Sequence, residues 1–358
     1  MADPIDDQNS GVHVYTRELV KALVCYSDFE WVLIKQKQAQ LDVEQHLFTK
    51  SNHPLLDAPR MFFSIPRLLN TIGIDAVIEP AHFGPWNLKP EVKRITVIHD
   101  LTPIKFPQFH TWHSALLQQL FLKSILNRAQ RIVVNSDSTK RDVVELVPTI
   151  ADYVQRIYPG KNRQSDGEST VEISNEAPYF LVVGSIEPRK NGIRILESFE
   201  QLLQNSPLKV VPDLIFVGGK GWKNDAFHAL LEKHKFKNHI KMKGFVPDDE
   251  LKKLYHHAQA LVYPSLYEGF GFPILEAFRQ GCPVITSNNS SMPEVGGDAA
   301  FYIQPESTTE LTQAMVSVLK MSKTEREQVQ QKGLQQANLF SWEQFGDQWI
   351  KMLTELLY

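Results

Sequence analysis

The sequence has few of the features that mark secreted, membrane-spanning or nucleic-acid-binding proteins. It contains two cysteines, Cys25 and Cys282, which are too few and too far apart for a disulfide framework and fit a reducing compartment. No run approaches the ~20 apolar residues that span a membrane. The N-terminal stretch MADPIDDQNSG is acidic and polar, unlike a secretory signal. We therefore expect a cytoplasmic protein.

The chain also has no excess of positive charge. Its 38 Lys and Arg residues face 41 Asp and Glu residues, which gives a net charge of −3, and residues 1–160 hold the two signs in equal number. Binding to a phosphate backbone needs a clustered positive field, so we expect no nucleic-acid partner. No G-x-G-x-x-G follows a predicted strand, which argues against a dinucleotide dehydrogenase.

Hydrophobic patterning predicts an α/β protein. The length of 358 residues suggests two domains. In the second half, short apolar runs alternate with helical patterns, which is typical of a parallel sheet covered on both faces. The predicted strands of this half are 179–185, 213–219, 240–245, 260–265, 283–288 and 299–304.

The first half has the same rhythm. An amphipathic helix is predicted at Val14–Leu23 and a long helix near His113–Arg128. Strands are predicted at Phe29–Ile34, Asp75–Glu79, Arg94–His99 and Arg131–Asn135. We therefore predict two Rossmann-like, doubly wound domains with parallel sheets facing one another across a cleft. The first is residues 1–160, the second is 178–340, and the polar segment 161–177 between them is a linker.

Ligands of open α/β sheets bind beyond the carboxyl ends of the strands. Arg189 and Lys190 follow the first strand of the second half and precede a helix. A helix start with two cations suits a phosphate group, although a solvated pair in a polar loop is an equal alternative. Gly218 and Gly219, after the next strand, would permit a close backbone approach.

The stretch YEGFGFPILE (267–276) places two glutamates around a glycine-containing loop that enters a helix. We expect Glu276 in the first turn of that helix and Glu268 in the loop before it. A carboxylate can accept from the paired hydroxyls of a ribose or a hexose. The alternative from spacing alone is that Glu276 complements the helix dipole and Glu268 is solvated.

E-G-F-G-F-P-I-L-E is similar to the E-x7-E motif of the retaining glycosyltransferases of family 4, which have the GT-B fold. Other motifs resemble this family in its usual order, and the resemblance extends from about residue 10 to Trp342. They are SGVHVYTREL (10–19), VIHDL (97–101), NSDST (135–139), GSIEPRKN (184–191), VGGKGW (217–222), GFVPDDEL (244–251) and SSMPEVGGDAA (290–300). In this fold the last helix commonly returns to the first domain, so 341–358 is assigned there.

The resemblance implies a role for each matching position. Glu276 would bind the ribose of a nucleotide, and Glu268 the donor sugar. Arg189 and Lys190 would hold the diphosphate, and His99 would reach the donor sugar from the first domain. His99 taken alone would be read as an ordinary tautomer-fixed histidine. Further donor or acceptor contacts are expected from Gly11, Ser185, Gly218, Gly219, Phe245, Val246, Gly269, Phe270 and Gly271.

The implied function is retaining transfer of a sugar from a nucleoside-diphosphate sugar to a glycan or lipid-linked acceptor. GDP-mannose is the favoured donor. The sequence contains no Asp-x-Asp pair of the kind that often holds a divalent metal, so we expect no metal and no other cofactor. The alternatives are a GT-B phosphorylase, a nucleotide-sugar hydrolase, and a catalytically silent nucleotide-binding scaffold.

Two features affect the acceptor side. Family members usually open with an apolar strand, and MADPIDDQNSG does not resemble one. The segment RMFFSIPRLL (60–69) could touch a lipid-linked acceptor or the inner membrane surface, but an ordinary amphipathic core helix is about twice as favoured.

Overall fold

The fold is known from a computed structural model that describes residues 11–26, 28–35, 43–47, 60–110, 112–160, 178–205 and 210–358. The predicted linker 161–177 and the N-terminal stretch 1–10 lie outside these residues. The chain divides into two compact units. The first consists of 1–105, 111–160 and 340–358, and the second of 106–110 and 161–339.

The first unit contains parallel strands in two sheets. A two-stranded sheet pairs β1 with β2, and a four-stranded sheet has the order β3-β4-β5-β6. The four predicted strands are confirmed, whereas β2 and β6 were not predicted. The strands are β1 Val32–Lys35, β2 Glu44–Leu47, β3 Ala76–Glu79, β4 Lys93–Ile98, β5 Arg131–Val134 and β6 Val154–Arg156.

The helices of the first unit cover these sheets. The last helix packs against the first, and Tyr15, Phe345 and Trp349 lie in one fully buried cluster. The Tyr15 and Phe345 rings meet edge to face, with centroids 5.2 Å apart. The helices are α1 Gly11–Val24, α2 Ile65–Ile72, α3 Thr102–Lys105, α4 Trp112–Arg128, α5 Asp137–Leu146 and, at the C-terminus, α13 Trp342–Leu357.

The second unit is built on one six-stranded parallel sheet with the order β12-β11-β10-β7-β8-β9. All six strands predicted for this half are confirmed. The interior strands β7, β8, β10 and β11 are almost wholly buried, whereas the edge strand β9 is largely exposed. The strands are β7 Tyr179–Val183, β8 Asp213–Val217, β9 Ile240–Gly244, β10 Ala260–Tyr263, β11 Val284–Ser287 and β12 Phe301–Ile303.

Helices follow these strands in alternation. Local signals fix several of their ends; Ser322 and Glu325, for example, form a capping box. The helices are α6 Gly192–Asn205, α7 Asp225–Lys233, α8 Asp248–His257, α9 Phe272–Arg279, α10 Met292–Gly296, α11 Thr308–Lys320 and α12 Lys323–Ala337.

The segment 60–69 begins with one π-helical turn and continues as α2. Ile65 and Leu69 are buried in a cluster with Ile34 and Val77, as expected of a core helix. Phe63 is 68% exposed. None of the helices in the described parts of the chain is both long enough and apolar enough to cross a membrane.

The loops after β7 and β8 cross at very close range. The Gly184 amide donates to the Val217 carbonyl at 2.9 Å. Gly218 has a φ of +146°, and a Cβ built on it would lie 2.1 Å from the Gly184 carbonyl oxygen. Only glycine fits at position 218, so this glycine is required by the backbone itself.

We expect Gly218→Ala to lower the free energy of unfolding of the second unit by about 2 kcal/mol or more, because it combines backbone strain with a clash. Urea unfolding would measure this. Gly219→Ala is the matched control, because no atom lies within 4 Å of its Cβ position. Equal stability of the two variants would show that the crossing can relax.

Candidate functional site

Two cations and two carboxylates meet at the carboxyl edge of the second sheet. Lys190 Nζ lies 2.6 Å from Glu268 Oε1, and Arg189 Nη1 contacts Glu268 Oε2. Arg189 Nη2 lies 2.7 Å from Glu187 Oε1. The structure therefore brings together three residues that the sequence assigned to one site, and it adds Glu187. We call Glu187, Arg189, Lys190 and Glu268 the ion cluster.

The ion cluster depends on a tight turn after β7. Residues Pro188–Lys190 form one 3₁₀ turn, and Asn191 has a left-handed φ of 61°. The Asn191 side-chain Nδ2 donates to the carbonyls of Pro264 at 3.0 Å and Pro305 at 2.6 Å. These bonds fasten the turn to the loop after β10 and to the segment after β12. Both cations are thereby fixed beside the glutamate loop.

Glu268 is only 7% exposed, and its charge is balanced locally. Burial raises the pKa of its carboxyl, but Arg189 and Lys190 outweigh burial and lower the pKa to about 2. Glu268 is therefore an ionised carboxylate at neutral pH. Lys190 also donates to the Tyr263 hydroxyl at 2.7 Å and lies 4.6 Å from the centre of that ring.

Hydroxyl groups after β11 hold the glutamate loop in place. Ser290 Oγ accepts from the Glu268 amide at 3.1 Å. Ser291 Oγ contacts the Glu268 carbonyl at 2.9 Å and the Phe270 carbonyl at 2.7 Å. Two bonds of the same kind run from Ser287 to the Ser265 carbonyl at 2.7 Å and from Asn289 to the Leu266 carbonyl at 3.0 Å. The segment 287–291 thus holds the backbone of the loop from Ser265 to Phe270 at several points.

The helix with the second glutamate begins at Phe272, one residue before Pro273, which suits the first position of a helix. α9 starts at Phe272, and Gly271 precedes it with a φ of +113°. Glu276 is thus the fifth helical residue and does not lie in the first turn, so that prediction was wrong. The reason is local: the left-handed Gly271 turns the chain into the helix before Pro273. Glu276 is partly buried, and its Oε2 accepts from the Tyr255 hydroxyl at 3.0 Å.

A cavity of about 410 Å³ lies beside the ion cluster, within the second unit. This volume is within the usual range for a small-molecule site. Ser185, Lys190 and Tyr263 line the cavity, and Arg194 and Lys223 add two further cations. Among the described residues, no group of three or more His, Cys, Asp or Glu side chains is placed to hold a metal ion.

The other predicted contacts of the second unit lie in loops at the same edge. Gly218 and Gly219 follow β8, and Phe245 and Val246 follow β9. Phe245 is 68% exposed, whereas Val246 is 6% exposed. Gly269, Phe270 and Gly271 occupy the loop between β10 and α9, where Phe270 is buried. An exposed aromatic ring at the edge is available to a flat ligand; the buried Val246 side chain is not.

In the first unit, His99 directly follows β4 and is buried. Its Nε2 lies 2.6 Å from the Pro80 carbonyl, which can only accept, so Nε2 carries the proton. Nδ1 then accepts from the Asn135 amide at 2.9 Å. Burial and the neighbouring His82 lower the pKa of His99 to about 4, so the ring is neutral at pH 7. Gly11, the first residue of α1, is exposed.

Several residues of this site were missed by the sequence analysis. Glu187 lies inside a motif that was recognised only for its two cations. Tyr263 ends an apolar strand and was not assigned to the site. The run SNNSS (287–291) after β11 was a usable signal, because five consecutive hydroxyl and amide side chains at a strand end are suited to holding a neighbouring loop. Tyr255 gave no signal beyond the amphipathic pattern of its helix.

Two α/β units, each built on parallel strands, are the architecture of the GT-B class of glycosyltransferases. Residues 9–164 match the family model described as Glycosyltransferase Family 4, and residues 168–336 match the model described as Glycosyl transferases group 1. The chain belongs to the family 4 type of glycosyltransferases, which confirms the family, the fold class and the enzyme class expected from the motifs.

Known proteins of similar sequence and structure agree with this. The chain is 28% identical over 97% of its length to O-antigen chain mannosyltransferase B of Escherichia coli, and the match covers 97% of that protein. Its fold resembles sucrose-phosphate synthase from Thermosynechococcus elongatus, with a TM-score of 0.78, 18% identity and coverage of 99% and 96% of the two chains. It also resembles Anabaena HepE in complex with UDP-glucose, with a TM-score of 0.72, 15% identity and 97% coverage of each chain.

The ion cluster makes acid stability a test of the site geometry. The folded-state pKa of Glu268 lies below its ordinary value of 4.5, so the ionised carboxylate stabilises the fold above about pH 4.5. That contribution is lost as the pH falls toward 2. We expect the free energy of unfolding of the wild type to exceed that of Glu268→Gln by on the order of 3 kcal/mol near pH 7. This difference should shrink steadily below pH 4.5.

Urea unfolding at a series of pH values would measure this difference. Glu327→Gln is the control, because Glu327 is 60% exposed and 3.9 Å from its lysine partner, so its effect should be small and nearly flat. A Glu268→Gln difference that stays constant down to pH 3 would mean that the carboxyl is not held by the two cations.

Proposed function

We propose that this protein is a retaining, metal-independent mannosyltransferase that moves mannose from GDP-mannose to a glycan or lipid-linked acceptor at the cytoplasmic face of a membrane. The ion cluster is the observation on which this proposal rests. It places two fixed cations at the carboxyl edge of a parallel sheet, beside a glutamate loop and a cavity of about 410 Å³. The mannosyltransferase name of the Escherichia coli relative favours this donor and a polysaccharide acceptor.

The chemistry breaks the bond between C1 of the sugar and a phosphate oxygen, so negative charge grows on the leaving diphosphate. Lys190 and Arg189 would stabilise that charge electrostatically. Both cations already contact the Glu268 carboxylate. A diphosphate must therefore share them with Glu268 or displace it, which would free Glu268 to accept from hydroxyls of the donor sugar. Binding and repositioning of Glu268 are thus coupled in this proposal.

The weak basicity of Glu268 supports retention by front-face attack. While two cations hold it, a carboxylate with a pKa of about 2 is a poor proton acceptor and a poor nucleophile, and once displaced it would be engaged by the hydroxyls of the donor sugar. Glu187 is likewise engaged by Arg189, at 2.7 Å. The proton of the attacking hydroxyl would then pass to the leaving phosphate oxygen, with attack on the same face as departure. His99, neutral and hydrogen-bonded, would orient the sugar and would not act as the base.

Two variants test the assignment of the donor site. We expect Lys190→Ala and Glu276→Ala each to lower turnover of GDP-mannose by about 10²-fold or more, through lost leaving-group and donor contacts. Initial rates of GDP release in the presence of acceptor would measure this, with circular dichroism to confirm folding. Lys252→Ala is the control, because its side chain is 49% exposed and its ammonium pairs with Asp249 on the same helix. Near-wild-type turnover of Lys190→Ala would contradict the assignment.

The nucleotide is tested by thermal shifts with UDP, GDP, dTDP, ADP and CMP, each with magnesium and with EDTA. A ligand at a hundredfold its dissociation constant adds ~2.7 kcal/mol of stability, which raises the melting temperature by a few degrees. We expect GDP alone to give the shift, and to give it equally with EDTA.

A shift with UDP instead would overturn the donor, and a shift that needs magnesium would overturn metal independence. Product analysis separates the remaining activities. Sugar release without acceptor would indicate a hydrolase, phosphate-dependent formation of sugar phosphate a phosphorylase, and binding without turnover a scaffold.

A further inference from the structure

Tyr255 is a buried tyrosine with a single polar group, and that group points at the proposed nucleotide site. It lies near the end of α8, is 1% exposed, and is among the largest fully buried side chains of the chain. Its hydroxyl donates to Glu276 Oε2 on α9 at 3.0 Å. The rest of the ring is enclosed between these two helices and the sheet. The hydroxyl thus fixes one oxygen of a carboxylate that is otherwise only partly buried.

A glutamate on a helix surface has three side-chain torsions, and ordering them on ligand binding costs free energy. A bond from a rigid, buried phenol to one carboxylate oxygen orders the group before the ligand arrives. An ionised carboxylate offers about four lone-pair positions, and the bond from Tyr255 uses one of those at Oε2. The conformational entropy of the Glu276 side chain is then lost when the protein folds and not when the ligand binds.

The Tyr255 hydroxyl stays protonated at neutral pH. Burial and the adjacent Glu276 carboxylate both raise its pKa well above the ordinary value for tyrosine. A protonated phenol gives its proton to the bond with Oε2, so the Glu276 carboxylate is the acceptor. The bond therefore has a fixed direction.

We infer that Tyr255 is a positioning residue for nucleotide recognition, whose hydroxyl orients Glu276 so that the carboxylate binds the ribose of the donor. This inference rests on the proposed function, because it assigns Glu276 to the ribose. Tyr255 itself touches neither donor nor acceptor; it acts through Glu276. Removal of its hydroxyl should weaken recognition of the ribose hydroxyls specifically and leave the chemical step almost unchanged.

The chain provides a closely matched control. Tyr179 is 5% exposed, and its hydroxyl donates to the carbonyl of Leu254, the residue before Tyr255, at 2.8 Å. Tyr255→Phe and Tyr179→Phe each delete one buried hydroxyl that bonds in the same region of α8 and α9. Only Tyr255→Phe removes a bond to Glu276.

The test compares dissociation constants for GDP, 2′-deoxy-GDP and 3′-deoxy-GDP by titration calorimetry, in wild type, both phenylalanine variants and Glu276→Ala. We expect wild type to bind GDP about tenfold or more tightly than at least one deoxy analogue, the size of effect of one good hydrogen bond. Tyr255→Phe should reduce the ratio of the deoxy-GDP to the GDP dissociation constant several-fold, toward the ratio measured for Glu276→Ala. Tyr179→Phe should keep the wild-type ratio, and kcat of Tyr255→Phe should stay within about threefold of wild type.

The possible failures are distinguishable. If Tyr255→Phe keeps the wild-type ratio, the inference is overturned while the ribose role of Glu276 stands. If this ratio of dissociation constants falls equally in both phenylalanine variants, the cause is a general loosening of α8. The positioning role of Tyr255 is then overturned. If wild type binds GDP but does not discriminate against either deoxy analogue, the ribose role of Glu276 falls, and the inference falls with it.

Discussion

The arrangement of the second unit's edge depends on one buried carboxylate. Glu268 is ionised and 7% exposed, and it needs Arg189 and Lys190 within hydrogen-bond distance. Burying a charge costs several kcal/mol, and removing one partner leaves that cost uncompensated. The loops that supply the three side chains therefore cannot move independently. The glutamate loop, the 3₁₀ turn after β7 and the serine segment after β11 form one hydrogen-bonded assembly.

The parallel sheet is what makes this assembly possible. The order β11-β10-β7-β8 places four carboxyl ends side by side. Lys190 and Glu268, which are 78 positions apart in sequence, follow the neighbouring strands β7 and β10 and therefore meet. Strands β7, β8 and β10 consist mainly of buried apolar residues. The residues just beyond the strands supply the ions, hydroxyls and glycines. Gly218 shows how closely this edge is packed, because two backbones cross there with no room for a methyl group.

Apolar runs and their alternation with helical patterns were sufficient to predict the sheet of the second unit. Prediction failed where length or polarity removed the signal: β6 has three residues, and β2 reads EQHL. The sequence predicted which residues belong to the site, but it did not predict which of their side chains contact one another. Arg189 and Glu268 were each matched with a ligand, because sequence cannot show that opposite charges from two loops will meet. The partnership of Tyr255 with Glu276 depends on the packing of two helices and has no sequence pattern.

The ion cluster also determines which solutes the edge attracts before any ligand is bound. Glu187 and Glu268 cancel the charges of Arg189 and Lys190, so the four side chains together carry no net charge. An anion that approaches Arg189 and Lys190 must therefore compete with carboxylates already in place. Under the proposed function, a ligand that replaces Glu268 at the cations can offer that carboxylate new hydrogen-bond donors in exchange. The hydroxyls of a donor sugar would do so, and this would favour a sugar-bearing diphosphate over the same diphosphate without its sugar.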